Sequence, residues 1–367
     1  MKKLILVMLG LVLFFVGCDE KKNTSTKPVV AAILPLTGSA SVWGKNAKNG
    51  IELAREHFDK DKQLKLIFFD SKSNAKDAVN ALNKVISSKK KISVVIGDIA
   101  SSSVLAMAPI ANRHKVVLLS PGASNPDISK AGEYVFRNFQ SDALEAVKDY
   151  DYVRKYGWKE VVTMYINNAY GKGLESVFVE KMKQDGLRPV ARLAFEQDQK
   201  DFRVYIEKLK KMSYDIIYLA GYPVEMAILL KQMNELRYKP KILATQSFDD
   251  PQIKDIAGDV SNVVYSIPKP PDPSSDEVKK FVHGYKKKFR VNPGVTSDTG
   301  YDAFMIVYYI YNKYNFNAID SDTIKEELKR MDIHGASGNY GFDKNGDVIK
   351  EFSFIGNFNA ERLQIER

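Results

Sequence analysis

The feature that most constrains this chain is a repeated alternation of short β-branched runs with amphipathic helical segments, in two series. The first series predicts strands at Val29–Leu34, Leu64–Phe69, Ser93–Ile96 and Val116–Leu119. Between them it predicts helices near Asn46–His57, Ala75–Ser87 and Ser103–Asn112. The second follows a helix over Ser141–Tyr156, with strands at Val161–Tyr165, Val190–Phe195, Ile216–Leu219 and Ile242–Thr245. Its helices are predicted over Leu174–Gln184, Phe202–Met212 and Val224–Leu236. Such alternation calls for parallel sheets covered by helices on both faces. Unbroken apolar runs such as Val94-Val95-Ile96 and Ile216-Ile217-Tyr218-Leu219 suit strands buried on both sides. The expected fold is therefore α/β, with two Rossmann-like lobes.

The pattern breaks at Pro268-Lys269-Pro270-Pro271-Asp272-Pro273, which reads as a linker because proline lacks the N–H that helices and central strands use. Helices over Asp276–Phe289, Thr296–Tyr314 and Asp322–Met331 follow it, with no sheet of their own to cover. They are expected to return to the first lobe. That places residues 29–142 and 271–347 in one lobe, and 143–270 and 348–367 in the other. The three crossovers then fall near 142, 270 and 348. Asn345-Gly346, ahead of a strand predicted over Glu351–Phe358, reads as a hairpin turn.

The N-terminus is an address. Met1-Lys2-Lys3 and the apolar run Leu4–Val16 form the basic and hydrophobic parts of a secretory leader. The run is shorter than the roughly 20 residues a membrane-spanning helix needs. Gly17 stands directly before Cys18, the only cysteine in the chain, and the polar stretch Asp19–Lys27 comes next. This resembles a bacterial lipoprotein processing site, with Phe15 in place of the usual leucine. The resemblance implies that residues 1–17 are removed, that Cys18 is lipidated, and that 18–28 form a tether. One cysteine excludes a disulfide framework and a cysteine-rich zinc site.

Chemistry narrows by elimination. No Gly-x-Ser-x-Gly or His-Glu-x-x-His motif occurs, and His57, His114, His283 and His334 lie far apart. Neither a metal nor a cofactor is expected. The formal charge of +10 would suit a nucleic-acid partner only if it clustered. The densest runs, Lys89–Lys91 and Lys286–Lys288, are short and have no stacking aromatics beside them. Gly171-Lys172-Gly173 has the place of a dinucleotide fingerprint, but Ser176 stands where the third glycine belongs. Asp343-Lys344-Asn345-Gly346-Asp347 lacks the length and closing Glu of a calcium loop.

What remains points to a ligand. Gly97-Asp98-Ile99-Ala100-Ser101-Ser102-Ser103 runs from a strand end into a helix, offering hydroxyls and free amides at a positive helix terminus, or simply a cap. Ser120-Pro121-Gly122-Ala123-Ser124-Asn125-Pro126 is a second polar turn after a strand. Trp43, Tyr170 and Tyr222 fall in comparable strand-to-helix loops. These positions lie at the carboxyl ends of parallel strands, where open α/β sheets bind ligands.

In the order and spacing of these segments the chain resembles the type I periplasmic binding proteins, and in particular the branched-chain amino acid receptors of ABC importers. The matching stretches are Leu36-Thr37-Gly38 with Trp43-Gly44 and Asn49-Gly50, Gly97–Ser103, Ser120–Pro126, Tyr170–Gly173, Gly221-Tyr222 with Glu225-Met226, and Ile256-Ala257-Gly258-Asp259. The resemblance implies two lobes on a three-strand hinge and a non-enzymatic receptor that acts as a monomer. Its partners would be a small amino acid-like ligand, permease subunits and, through its lipid, a membrane. A sensory input protein for a chemoreceptor or sensor kinase is the alternative. It also implies that Ser101, beside Ser102, and Ser124 grip the ligand carboxylate, and that Ala123 offers a carbonyl to its ammonium. Trp43 would lie against the ligand side chain while Tyr170 and Tyr222 close from the other lobe. A carboxylate should meet the ammonium at position 246, where this chain has Gln246. Either Asp249 or Asp250 is expected to substitute, or else the ligand is not a standard α-amino acid.

Overall fold

The structure is a computed structural model that describes residues 27–88, 92–348 and 352–355. The leader, Cys18, residues 19–26, the Lys89–Lys91 run and everything after Ile355 lie outside the described residues.

A first parallel sheet has the order β2-β1-β3-β4-β5. Its strands are β1 (Val29–Leu34), β2 (Lys65–Asp70), β3 (Val94–Gly97), β4 (Val117–Ser120) and β5 (Val135–Arg137). They alternate with α1 (Ser41–Phe58), α2 (Ala75–Ile86) and α3 (Ser101–His114). The chain then crosses into α4 (Asp142–Lys155) and builds a second sheet from β6 (Val161–Ile166), β7 (Ala191–Phe195), β8 (Ile216–Ala220), β9 (Ile242–Ala244) and β10 (Val263–Pro268). Helices α5 (Ala169–Gln184), α6 (Arg203–Leu209), α7 (Pro223–Glu235) and α8 (Pro251–Ala257) cover it. After β10 the chain returns as α9 (Asp276–Phe289), α10 (Ser297–Lys313) and α11 (Ser321–Arg330). A hairpin of β11 (Ile333–Gly335) and β12 (Gly338–Tyr340) comes next. β13 (Phe352–Ile355) then pairs antiparallel with β10 at the edge of the second sheet, in the order β13-β10-β9-β8-β6-β7.

The inner strands are apolar along their length because helices cover both faces: Val30 to Leu34 and Ile216 to Ala220 are fully or almost fully buried. The returning helices belong to the first lobe. Buried Tyr301, Phe304 and Ile306 of α10 share a core with Ala47, Ile51 and Ala54 of α1. The two helix backbones touch through glycine. A Cβ on Gly50 would sit 2.0 Å from the Ser297 carbonyl oxygen, and one on Gly300 2.5 Å from that of Ala47.

Several boundaries differ from the sequence expectation. Helix α1 begins at Ser41 and α5 at Ala169, five residues earlier than predicted in each case. Glycines in the first turns obscured both starts. Close approach demands them there, since a Cβ on Gly44 would lie 2.0 Å from the Pro35 carbonyl oxygen and one on Gly171 2.3 Å from that of Ile166. β5, β10 and α8 were missed. Pro268 is the last residue of β10 rather than linker; at a strand end no ladder N–H is required of it. Asn345-Gly346 does turn the chain, with the Gly346 amide bonded to the Asp343 carbonyl, but the hairpin of this region is β11–β12. Among the described residues no helix is long and apolar enough to cross a membrane.

Candidate functional site

Six strand ends converge on one gap between the lobes. From the first sheet, β1 leads to Trp43 in the opening turn of α1, β3 to Ser101 at the start of α3, and β4 to the turn holding Ser124. From the second, β6 leads to Tyr170 in the first turn of α5, β8 to Tyr222 at the N-cap of α7, and β9 to Gln246 in a short 3₁₀ turn. The three aromatics stand on helix starts rather than in loops. All six residues line one cavity of about 30 Å³, together with Ile99, Gly122, Phe139, Ser247, Val295 and Thr296. That is room for roughly two water molecules, so a ligand the size of an amino acid requires the lobes to part.

The aromatic wall is ordered. Tyr170 and Tyr222 are stacked with centroids 5.6 Å apart and planes at 24°. Trp43 meets them edge-on across the gap, 5.2 Å from Tyr222 and 6.4 Å from Tyr170. Thr245 holds Tyr170 by a 3.1 Å hydroxyl contact. The indole Nε1 of Trp43 is buried and makes no hydrogen bond.

On the first lobe, Ser101 Oγ accepts the amides of Ser124 at 3.3 Å and Asn125 at 3.2 Å. It ties the two polar turns together and keeps its own O–H to donate. The amides of Ser101 and Ser102, at the first two positions of α3, have no carbonyl behind them in the helix. The preceding Asp98 already uses part of this positive terminus. Its Oδ1 accepts the amides of Ile99 at 2.5 Å and Ala100 at 3.1 Å, while burial pushes its carboxyl up to about 6. Two expected site residues stand back from the cavity. Ala123 is fully buried, with its amide bonded to Ser120 Oγ. Ser102 reaches the other lobe instead, where its Oγ accepts the Ala169 amide at 3.1 Å. Further bridges between lobes run from Asn125 Nδ2 to the Ala169 carbonyl and from Gln197 Nε2 to the Ser73 carbonyl. Gly173 permits this approach: a Cβ there would meet Asn125 Nδ2 at 2.5 Å.

Gln246 is held on two sides. Its Nε2 donates to Glu145 Oε2 and its backbone N–H to Glu145 Oε1, both at 2.6 Å. Its Oε1 accepts Gln140 Nε2 at 2.7 Å. Asp249 and Asp250, the expected substitutes for a carboxylate at 246, do not line this cavity. Asp249 accepts the Tyr265 hydroxyl, Asp250 caps α8 through the Gln252 amide, and both face a neighbouring groove of about 950 Å³ beside the hinge. The acids that do crowd the site are Asp142, Glu145 and Asp149 of α4, all without exposed surface. Burial raises all three, and Glu145 reaches about 7. Sequence reasoning passed over them because an acidic helix normally turns its charges outward. Their spacing of three and four residues, which puts them on one face, was the available signal.

The family match decides what these residues belong to: residues 28–355 match the periplasmic binding proteins. The chain belongs to that family. Within it, the chain is of the branched-chain amino acid receptor type, a class of ABC-transporter solute-binding proteins rather than of enzymes. A leucine-, isoleucine-, valine-, threonine- and alanine-binding protein of Pseudomonas aeruginosa is 25% identical over 335 residues, covering 89% of this chain and 88% of that protein. A leucine-binding protein of Thermotoga maritima superposes with a TM-score of 0.83 at 30% identity, over 93% of this chain and 98% of that one. The isoleucine-bound substrate-binding protein of a branched-chain amino acid transporter from Streptococcus pneumoniae shares the fold, with a TM-score of 0.82 at 23% identity over 93% and 99%.

Proposed function

We propose that this periplasmic binding protein captures a small amino acid between its lobes outside the cytoplasm and delivers it to the permease of an ABC importer. The observation that carries the reading is the cavity itself. Donors from two strand ends of one lobe face a stacked tyrosine pair of the other, and Trp43 closes the wall between them. In this reading Ser101 and Ser124 hold the ligand carboxylate, with the first amides of α3 adding the pull of a helix N-terminus. Trp43, Tyr170 and Tyr222 cover the side chain and exclude water. Ser102 and Asn125 act on closure, by latching the second lobe to the first. The lobes turn about the three crossovers, the usual means of sequestering a ligand. Cys18 carries lipid that keeps the receptor beside its permease, and the receptor works as a monomer.

Thermal-shift screening of amino acids, amides, ureas and aromatic acids tests the reading. A ligand at ~100 times its dissociation constant stabilises by about 2.7 kcal/mol, a readily visible shift. A rise with one or a few amino acids, lost in Ser101→Ala, supports the assignment. No shift with any compound refutes it.

A further inference from the structure

The face of α4 that carries Asp142, Glu145 and Asp149 has no basic partner: among the described residues none of the three makes an ion pair. Glu145 accepts only neutral donors, namely the amide and Nε2 of Gln246 and, at 2.9 Å, Ser266 Oγ. Both oxygens of Asp142 lack a well-formed hydrogen bond, although the Ser124 hydroxyl leans towards them. The nearest guanidinium, Arg137, is committed to Asp347, the Asn125 carbonyl and Ser129. Buried carboxylates without counter-charge are costly. A second, independent group belongs to the same cavity: Trp43 lines it, and its Nε1 is a buried donor with no acceptor. The cavity thus has unused donors on one side, at Trp43 and Ser101. On the other, behind Gln246, it has the unneutralised acid Glu145.

We propose that Glu145 supplies the counter-charge for a protonated amine of the ligand, acting through Gln246 and replacing a carboxylate at position 246. The inference rests on the solute-binding function above and names the residue that reads the amine of its ligand. Gln246 transmits the charge. Its amide is oriented by Glu145 and Gln140, and its oxygen keeps one lone pair for an incoming N–H.

The same geometry couples capture to a proton. Burial raises Glu145 to about 7, and burial together with the Glu145 charge holds Asp142 well above the usual carboxylate range. The other ionisable groups around them are Asp149 on α4, Arg137, and the hydroxyls of Tyr170, Tyr218 and Tyr222, and of these only Arg137 is cationic. When the amine arrives at Gln246, the Glu145 O–H breaks, its proton passes to the buffer, and the carboxylate charge left behind is felt by the ammonium through the Gln246 amide. Affinity therefore falls as pH drops below about 7.

Calorimetric titration of the folded protein with L-leucine and with 4-methylpentanoate, its amine-free counterpart, tests this. Runs at pH 6 and 8, in phosphate and in Tris, separate the proton from the ligand. The expected result is leucine binding that is stronger at pH 8, with heats that differ between buffers, and 4-methylpentanoate weaker by about 10-fold or more. Glu145→Gln should weaken leucine by about 10- to 100-fold and abolish the buffer difference. Glu145→Gln combined with Gln246→Glu should regain most of the affinity, which a merely structural role would not do. Equal binding of 4-methylpentanoate, or leucine affinity unchanged in Glu145→Gln, overturns the proposal. If a variant fails to fold, the wild-type comparison and buffer dependence decide alone. If only amine-free compounds bind, the proposal falls and the solute-binding function stands; if nothing of any class binds, both fall.

Discussion

Replacing Arg137 by alanine tests how the ligand-facing turn is held. Arg137 has no exposed surface, and its Nε lies 2.6 Å from Asp347 Oδ1, itself largely buried. Its remaining nitrogens donate to the Asn125 carbonyl at 2.8 Å and to Ser129 Oγ at 2.9 Å. One side chain thus joins β5, the Ser124-Asn125 turn and the segment leading into the third crossover. Alanine would strand Asp347 as a buried, unpaired charge and leave the Asn125 carbonyl without its donor. Breaking a buried pair from one side costs about 3–5 kcal/mol. One kcal/mol shifts the melting midpoint of a chain this large by roughly 2 °C, so the ligand-free midpoint should fall by about 6–10 °C. Calorimetric melting measures this, and the same variant should bind its ligand more weakly because Ser124 loses its footing. Arg137→Lys, which keeps the charge and loses the fork, should fall between the two. A midpoint within 2 °C of wild type, with affinity unchanged, would refute the reasoning.

Three further outcomes follow from the same structure. Asp98, Asp142, Glu145 and Asp149 are raised by burial, so the folded state holds their protons more tightly than the unfolded one. The stabilisation from Asp98 and Glu145 is complete at low pH and lost as pH rises through about 6 and 7 respectively. The ligand-free melting midpoint should drop between pH 5 and 8, with Glu145 alone contributing about 3 kcal/mol, and a flat or rising profile would contradict this. Gly173→Ala places a methyl group against Asn125 in the closed lobes; ligand affinity by calorimetry should weaken by about tenfold, or ~1.4 kcal/mol, with little change in ligand-free melting. Cys18→Ala should move the protein from the membrane to the soluble fraction, and unchanged fractionation would end the lipoprotein reading.

Much of the architecture is legible in the sequence because strand and helix signals there are local. Apolar runs such as Val94-Val95-Ile96 and Ile216–Leu219 can only be strands buried on both faces, and they are. What local reasoning lost were glycines placed for close approach. Gly44 and Gly171 lower helix propensity in isolation, yet only glycine lets α1 and α5 begin against the Pro35 and Ile166 carbonyls. At the site, sequence order brought Trp43, Ser101, Ser124, Tyr170, Tyr222 and Gln246 to one cavity. The missing carboxylate was sought too close by in the chain, at Asp249 and Asp250. The carboxylate that bonds position 246 is 101 residues upstream, at Glu145, a partnership that only the folding of α4 against the β9 end creates.

The most direct measurement of the central claim uses Trp43, one of two tryptophans in the chain. In a Trp158→Phe variant the emission comes from Trp43 alone, which sits in the cavity wall beside Tyr222. Titration with L-leucine, L-isoleucine and L-valine should give a saturable change with at least one of them. That change should vanish in Ser101→Ala and shrink when the pH is lowered from 8 to 6. Emission that stays constant with every amino acid, while the protein remains folded, would contradict the claim that this cavity receives the ligand.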